Sequence, residues 1–211
     1  MDWIPFAEEK QSRYEDPHGT LDERAIVRRG NTAYAAGLAL LMAGDESAGE
    51  WFRLAAARWR ESWDAGLGVD SWGRPVGALK ASLLAGDESA LAGYARWTLE
   101  LGAATAESPI GRYAAALALL ALGRWTEACR VAETLRGRRD FPNDVAGALA
   151  SIAADDGTGY RESVESVVSS FETRAEFLEG AEIADTALVL AVLARRREID
   201  APLRASSMLP S

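Results

Sequence analysis

The 211-residue chain has one histidine, His18, and one cysteine, Cys129, among 32 carboxylates and 23 basic side chains. A structural zinc site takes four ligands, drawn mainly from Cys and His, and a di-iron bundle needs two histidines beside its carboxylates. Neither can be assembled here, so no metal or cofactor is expected. A lone cysteine closes no intramolecular disulfide, which suits a reducing compartment, and Cys129 lies in an apolar helical run where a buried, inert thiol is expected. His18 falls in the turn-forming tract Asp16-Pro17-His18-Gly19 with no evident Ser or Cys partner for a triad. No phosphate loop or dinucleotide fingerprint occurs. Glu172, Glu176, Glu179 and Asp185, with Arg174, are the one acidic group whose members could share acid–base work, if burial split their pKa values. At a helix boundary the same residues serve equally as solvated caps and ion pairs. No catalytic residue is assigned.

Binding chemistry has more candidates. Trp72-Gly73-Arg74-Pro75 joins two helical units, and tryptophan beside arginine grips a partner's carboxylate or aromatic ring. The competing reading is a tucked indole followed by a proline in a helix's first turn. Tyr34 and Tyr113 occupy equivalent places in a repeated segment; with Arg112, they would face one groove if the repeated helices line it, or else pack between units with their hydroxyls at the rim. Trp51, Trp59 and Trp63 fall on one helical face. That face is either a hot spot, including one for a homodimer, or the bulky side of internal packing. Partner-binding residues are therefore expected at Tyr34, Trp72, Arg74, Arg112 and Tyr113.

The elements that must hold these side chains are helices. Forty-one residues are alanine, the strongest helix former and a poor strand residue, while aromatics make up 8%. The segment Ala33–Gly44 recurs as Arg112–Gly123 with eight of twelve positions identical, and Pro75–Gly86 shares Ala78, Ala81, Leu83, Ala85 and Gly86 with the first copy. Gly44-Asp45-Glu46-Ser47-Ala48 recurs unchanged at 86–90. Each copy reads as an Ala/Leu helix stopped by a glycine able to take positive φ, then an Asp or Ser that caps a second, antiparallel helix. Thr20-Leu21-Asp22-Glu23 is a capping box opening a helix to Ala43. Further helices are expected over about 46–65, 74–85, 88–101, from Pro109, over 126–136, 143–154, 160–171 and 181–197, with a short turn at 176–178. The fold class is thus all-α, stacked antiparallel helical hairpins of about nine or ten helices. Residues 1–19, with Pro5, Pro17 and Gly19, are expected to be irregular. Residues 20–199 form a single domain, and 200–211 an extended tail.

A formal charge of −9 argues against nucleic acid. The clustered Arg130, Arg136, Arg138 and Arg139 are interleaved with acids and read as a solvated helix end. The longest apolar runs reach about half of a membrane span, and the first residues lack a basic, then apolar, leader pattern. A soluble cytoplasmic protein is expected.

The turn segments resemble tetratricopeptide repeats: Gly123, Ala128, Ala132 and Leu135 follow that family's spacing, and Gly44, Ala48, Phe52 and Ala55 follow it with a turn one residue shorter. Gly30-Asn31-Thr32-Ala33-Tyr34 matches the family's Gly and Tyr on the first helix. The resemblance covers roughly residues 20–157 and implies protein binding or scaffolding. It departs from the family in its unequal spacings of 42 and 37 residues between turn glycines and in its missing hairpin-end proline. More loosely, an acidic, Ala-rich, Trp-bearing hairpin chain whose final helix, 184–197, is a Leu/Val/Ala run ending in Arg195-Arg196-Arg197 resembles the all-helical immunity proteins of bacterial polymorphic-toxin systems. That resemblance implies a toxin-domain partner. The alternative is a small-molecule-binding or hydrolytic protein with a pocket near Trp72, Arg74 and Arg112.

Overall fold

A computed structural model describes residues 1–15, 23–66 and 71–210. His18, the capping-box residues 20–22 and the loop residues 67–70 lie outside them. The described residues form ten α-helices: α1 Trp3–Glu15, α2 Glu23–Ala43, α3 Ala48–Asp64, α4 Gly73–Ala85, α5 Glu88–Glu100, α6 Pro109–Ala121, α7 Trp125–Glu133, α8 Asn143–Ala154, α9 Gly157–Glu172 and α10 Asp185–Arg196. Short 3₁₀ turns lie at Ala103–Thr105 and Leu178–Gly180. Helices α1–α9 pack mainly on their neighbours in sequence, as stacked hairpins do. No helix among the described residues is long and apolar enough to cross a membrane.

The hairpin turns follow the local chemistry. Gly44, Gly86 and Gly123 end α2, α4 and α6 at φ of 72°, 68° and 68°, a region that costs an L-residue about 1–2 kcal/mol. Asp87 then caps α5 by accepting from Ala90 N at 3.0 Å, whereas α3 has no side-chain cap and Asp45 instead accepts from Ser47 N at 2.8 Å in the turn before it. The fourth turn uses Asp155 at φ 63° in place of glycine, with Asp156 capping Gly159 N at 3.0 Å.

Alternate helices make two rows. The first members of the hairpins form the inner row, with α4 against α6 and α6 against α8, while the second members α3, α5, α7 and α9 lie outside. Every residue of α6 from Tyr113 to Ala121 is buried. In the first hairpin, Trp59 of α3 wedges between α2 and α4; a Cβ on Gly30 would stand 2.8 Å, and one on Gly77 2.7 Å, from its indole. The indole Nε1 donates to Asn31 Oδ1 at 3.1 Å.

Two expectations need correction. Residues 3–15 are helical, not irregular: Pro5 falls in the first turn of α1, where its missing N–H would have no helical partner anyway. α1 packs on α2, and its Tyr14 meets Trp51 edge-on at 5.4 Å. At the other end, α10 begins at Asp185 rather than Ala181, because residues 181–184 are non-helical: Ile183 N and Asp185 N close tight turns onto Ala181 O and Ile183 O, and Ala184 N donates to Met208 O at 3.0 Å. α10 does not extend the row of hairpins. It crosses the inner row, touching α4, α6 and α8 as well as α9.

The turn conformations predict opposite outcomes for two substitutions. Asp155→Gly should raise stability to urea by about 0.5–1 kcal/mol, whereas Gly86→Ala should lower it by about 1–2 kcal/mol.

Candidate functional site

Three places gather the candidate residues: a polar seam beneath α10, the starts of α4 and α6, and a cleft beside the C-terminal tail.

The seam joins Tyr34 of α2, Lys80 of α4 and Tyr113 of α6 to the first turn of α10. Lys80 Nζ lies 2.5 Å from Asp185 Oδ2 and donates to Thr186 Oγ1 at 3.2 Å. The Tyr34 hydroxyl donates to the same Asp185 oxygen at 3.0 Å. Burial beside the Asp185 carboxylate pushes the Tyr34 phenol well above its ordinary value, and burial likewise raises Tyr113. Tyr34 and Tyr113 do share one inner face, as their repeat positions suggested. That face is covered by α10, so they are 2% and 8% exposed and present no open groove. Lys80 was missed: in the sequence it is one lysine on an Ala/Leu helix, and its partner lies more than a hundred residues away.

The acidic group containing Asp185 is dispersed. Glu172 binds Arg204 and Ser206, Glu179 pairs with Arg13 at 3.1 Å, and Arg174 stacks on Phe171. The tryptophan stripe is internal rather than a free face. Trp59 is 5% exposed, Trp51 is covered by Tyr14, and Trp63 lies between Trp72 at 5.7 Å and Trp97 at 6.0 Å. Cys129 is half-buried, not buried. Among the described residues, no three His, Cys, Asp or Glu side chains stand where they could hold a metal ion.

The starts of α4 and α6 form one end of the stack. Trp72, 8% exposed, packs on Ala103, Ala114 and Ala115, and a Cβ on Gly111 would stand 3.0 Å from its ring. Arg74 occupies the first turn of α4. Its Nε and Nη1 are buried without a hydrogen-bond partner, and loss of water around the guanidinium lowers its pKa. Arg112, in the first turn of α6, donates from Nε to Ala106 O at 2.9 Å. Ile110 beside it is 39% exposed.

The cleft, of about 1080 Å³, lies toward the other end, where Leu41 and Leu84 near the ends of α2 and α4 face α10 and residues 199–210. It is away from Trp72, Arg74 and Arg112, where a pocket was expected. Neither protein-family models, curated proteins nor solved structures give a match to this chain.

The seam should behave as a coupled unit. Lys80→Met and Asp185→Asn should each cost about 2–3 kcal/mol, because each leaves a nearly buried partner unpaired. The double variant should cost less than their sum by about 1–2 kcal/mol in urea unfolding. A second test uses alkali. The Tyr160 hydroxyl is buried without a partner, and burial pushes it up to about 12. Unfolded phenols ionise near 10.0, so stability should be full below that pH and fall as pH rises through the interval to 12. Tyr160→Phe should flatten part of that fall at little cost at pH 7.

Proposed function

We propose that this chain is a non-catalytic protein-binding module whose partner docks on the end of the stack where α4 and α6 begin. The observation that carries this reading is the Arg74 guanidinium. It keeps its charge at neutral pH, yet two of its buried N–H groups lack acceptors, and unsatisfied donors of a charged group are costly. On docking, the guanidinium would have to turn outward, because both atoms are sealed from solvent; a partner's carboxylate would then accept from the planar fork of donors and relieve that cost. Arg112 at the neighbouring helix start adds a second cation, and the exposed Ile110 adds an apolar contact. Trp72 contributes as the plate beneath them rather than as a contact.

The tetratricopeptide-like spacing of the turns supports a binding role over a catalytic one. In its narrower form the partner is a toxin domain that the chain neutralises. The charge of −9 favours a basic protein by long-range steering, with the two arginines fixing orientation at close range.

The test begins with crosslinked affinity isolation from the native host and ends with the purified pair in a calorimeter. Arg74→Met should weaken binding about tenfold or more while leaving the melting temperature unchanged or higher. Unchanged affinity in Arg74→Met and Arg112→Met would remove this end of the stack from consideration. Recovery of no partner, with a metabolite raising the melting temperature instead, would overturn protein binding itself. For the narrower form, the partner domain expressed alone should arrest growth, and co-expression of this chain should restore it.

A further inference from the structure

The cleft beside α10 points to a ligand of a different kind. The inward side of α10 buries Ala187, Val189, Leu190, Leu193 and Ala194 against the hairpins. Its other side carries Leu188, Ala191, Val192 and Arg195, three and four residues apart and so on one face, and these line the cleft. A helix apolar on all sides is ordinarily covered on all sides. Here the tail, residues 199–210, covers α10 from one flank, and a space of about 1080 Å³ is left against Leu41 and Leu84. That slightly exceeds the usual range of small-molecule sites, about 300–1000 Å³.

We propose that this cleft binds a long-chain carboxylate, with its alkyl chain along the α10 wall and its head on Arg195. The helical walls, Leu41, Leu84, Leu188, Ala191 and Val192, offer no polar side-chain atom to a buried amide or hydroxyl, and an alkyl chain needs none. At the end of the apolar stripe, Arg195 has no ion-pair partner among the described residues, whereas the cleft's other arginine, Arg204, is held by Glu172 at 2.7 Å. Asp200 also lines the cleft without an ion-pair partner and opposes an anion. The head therefore sits on the α10 side, and removing the Asp200 charge strengthens binding.

The full chain titrated with dodecanoate below its micelle concentration should bind one equivalent, and dodecyltrimethylammonium, with the same tail and a cationic head, should bind at least about tenfold more weakly. Arg195→Gln should weaken dodecanoate about three- to fivefold, the scale of a solvent-exposed ion pair, and Asp200→Asn should tighten it by a similar factor. Val192→Trp should fill the cleft and abolish binding; Leu188→Gln on the same wall serves if that variant does not fold. No binding, equal binding of the two head groups, or binding indifferent to both wall variants would overturn the proposal. None of these outcomes bears on Arg74, which lies at the other end of the stack.

Discussion

The fold depends on a helix with no outside. From Tyr113 to Ala121 every residue of α6 is buried, with α4 and α8 beside it, α5 and α7 behind it and α10 across it. A helix so enclosed can carry no charge along that stretch, and its side chains must be small enough for neighbours to approach from every direction. Alanine at 114, 115, 116, 118 and 121 meets the volume limit, and Leu117, Leu119 and Leu120 fill the gaps between rows. The alanine excess of the chain is therefore a packing requirement as much as a helix preference.

Around that spine the first hairpin solves the same problem with one large residue. Trp59 occupies the space between α2 and α4 because Gly30 and Gly77 have no Cβ to obstruct it, and Asn31 accepts its only polar hydrogen. The seam is the polar counterpart. Asp185 gathers the Lys80 ammonium and the Tyr34 hydroxyl on one carboxylate oxygen and so fixes where α10 lands on the inner row. A nearly buried ion pair contributes little net stability compared with apolar packing, but a shift of α10 that separated Asp185 from Lys80 would leave two poorly solvated charges unpaired.

The hairpin architecture was legible because its signals are local. Gly44, Gly86 and Gly123 mark their turns by conformation, and Asp87 and Ser108 mark helix starts by the donors they satisfy. The α1 helix was hidden by Pro5, whose effect depends on whether it falls inside a helix or at its first turn. Pairings across the chain were not legible at all: nothing in the neighbourhood of Lys80 names Asp185. Equivalent positions did bring Tyr34 and Tyr113 to one face, yet no periodicity announces that the chain's own last helix covers that face. Trp72 and Arg74 show the same limit, since two positions apart in sequence one side chain enters the core and the other is left with buried, unpartnered donors.

The seam also has a bearing on synthesis. Tyr34 and its acceptor are separated by 151 residues, and Lys80 is separated from Thr186 by 106. Hairpins form from neighbours and can close as they leave the ribosome, but the inner row stays bare until residues 185–196 have emerged. During that interval an apolar face, carrying the Lys80 ammonium and two phenols, is open to solvent. In that order of synthesis α10 is a cover that arrives after the face it seals, and a nascent chain stalled before residue 185 would leave that face exposed.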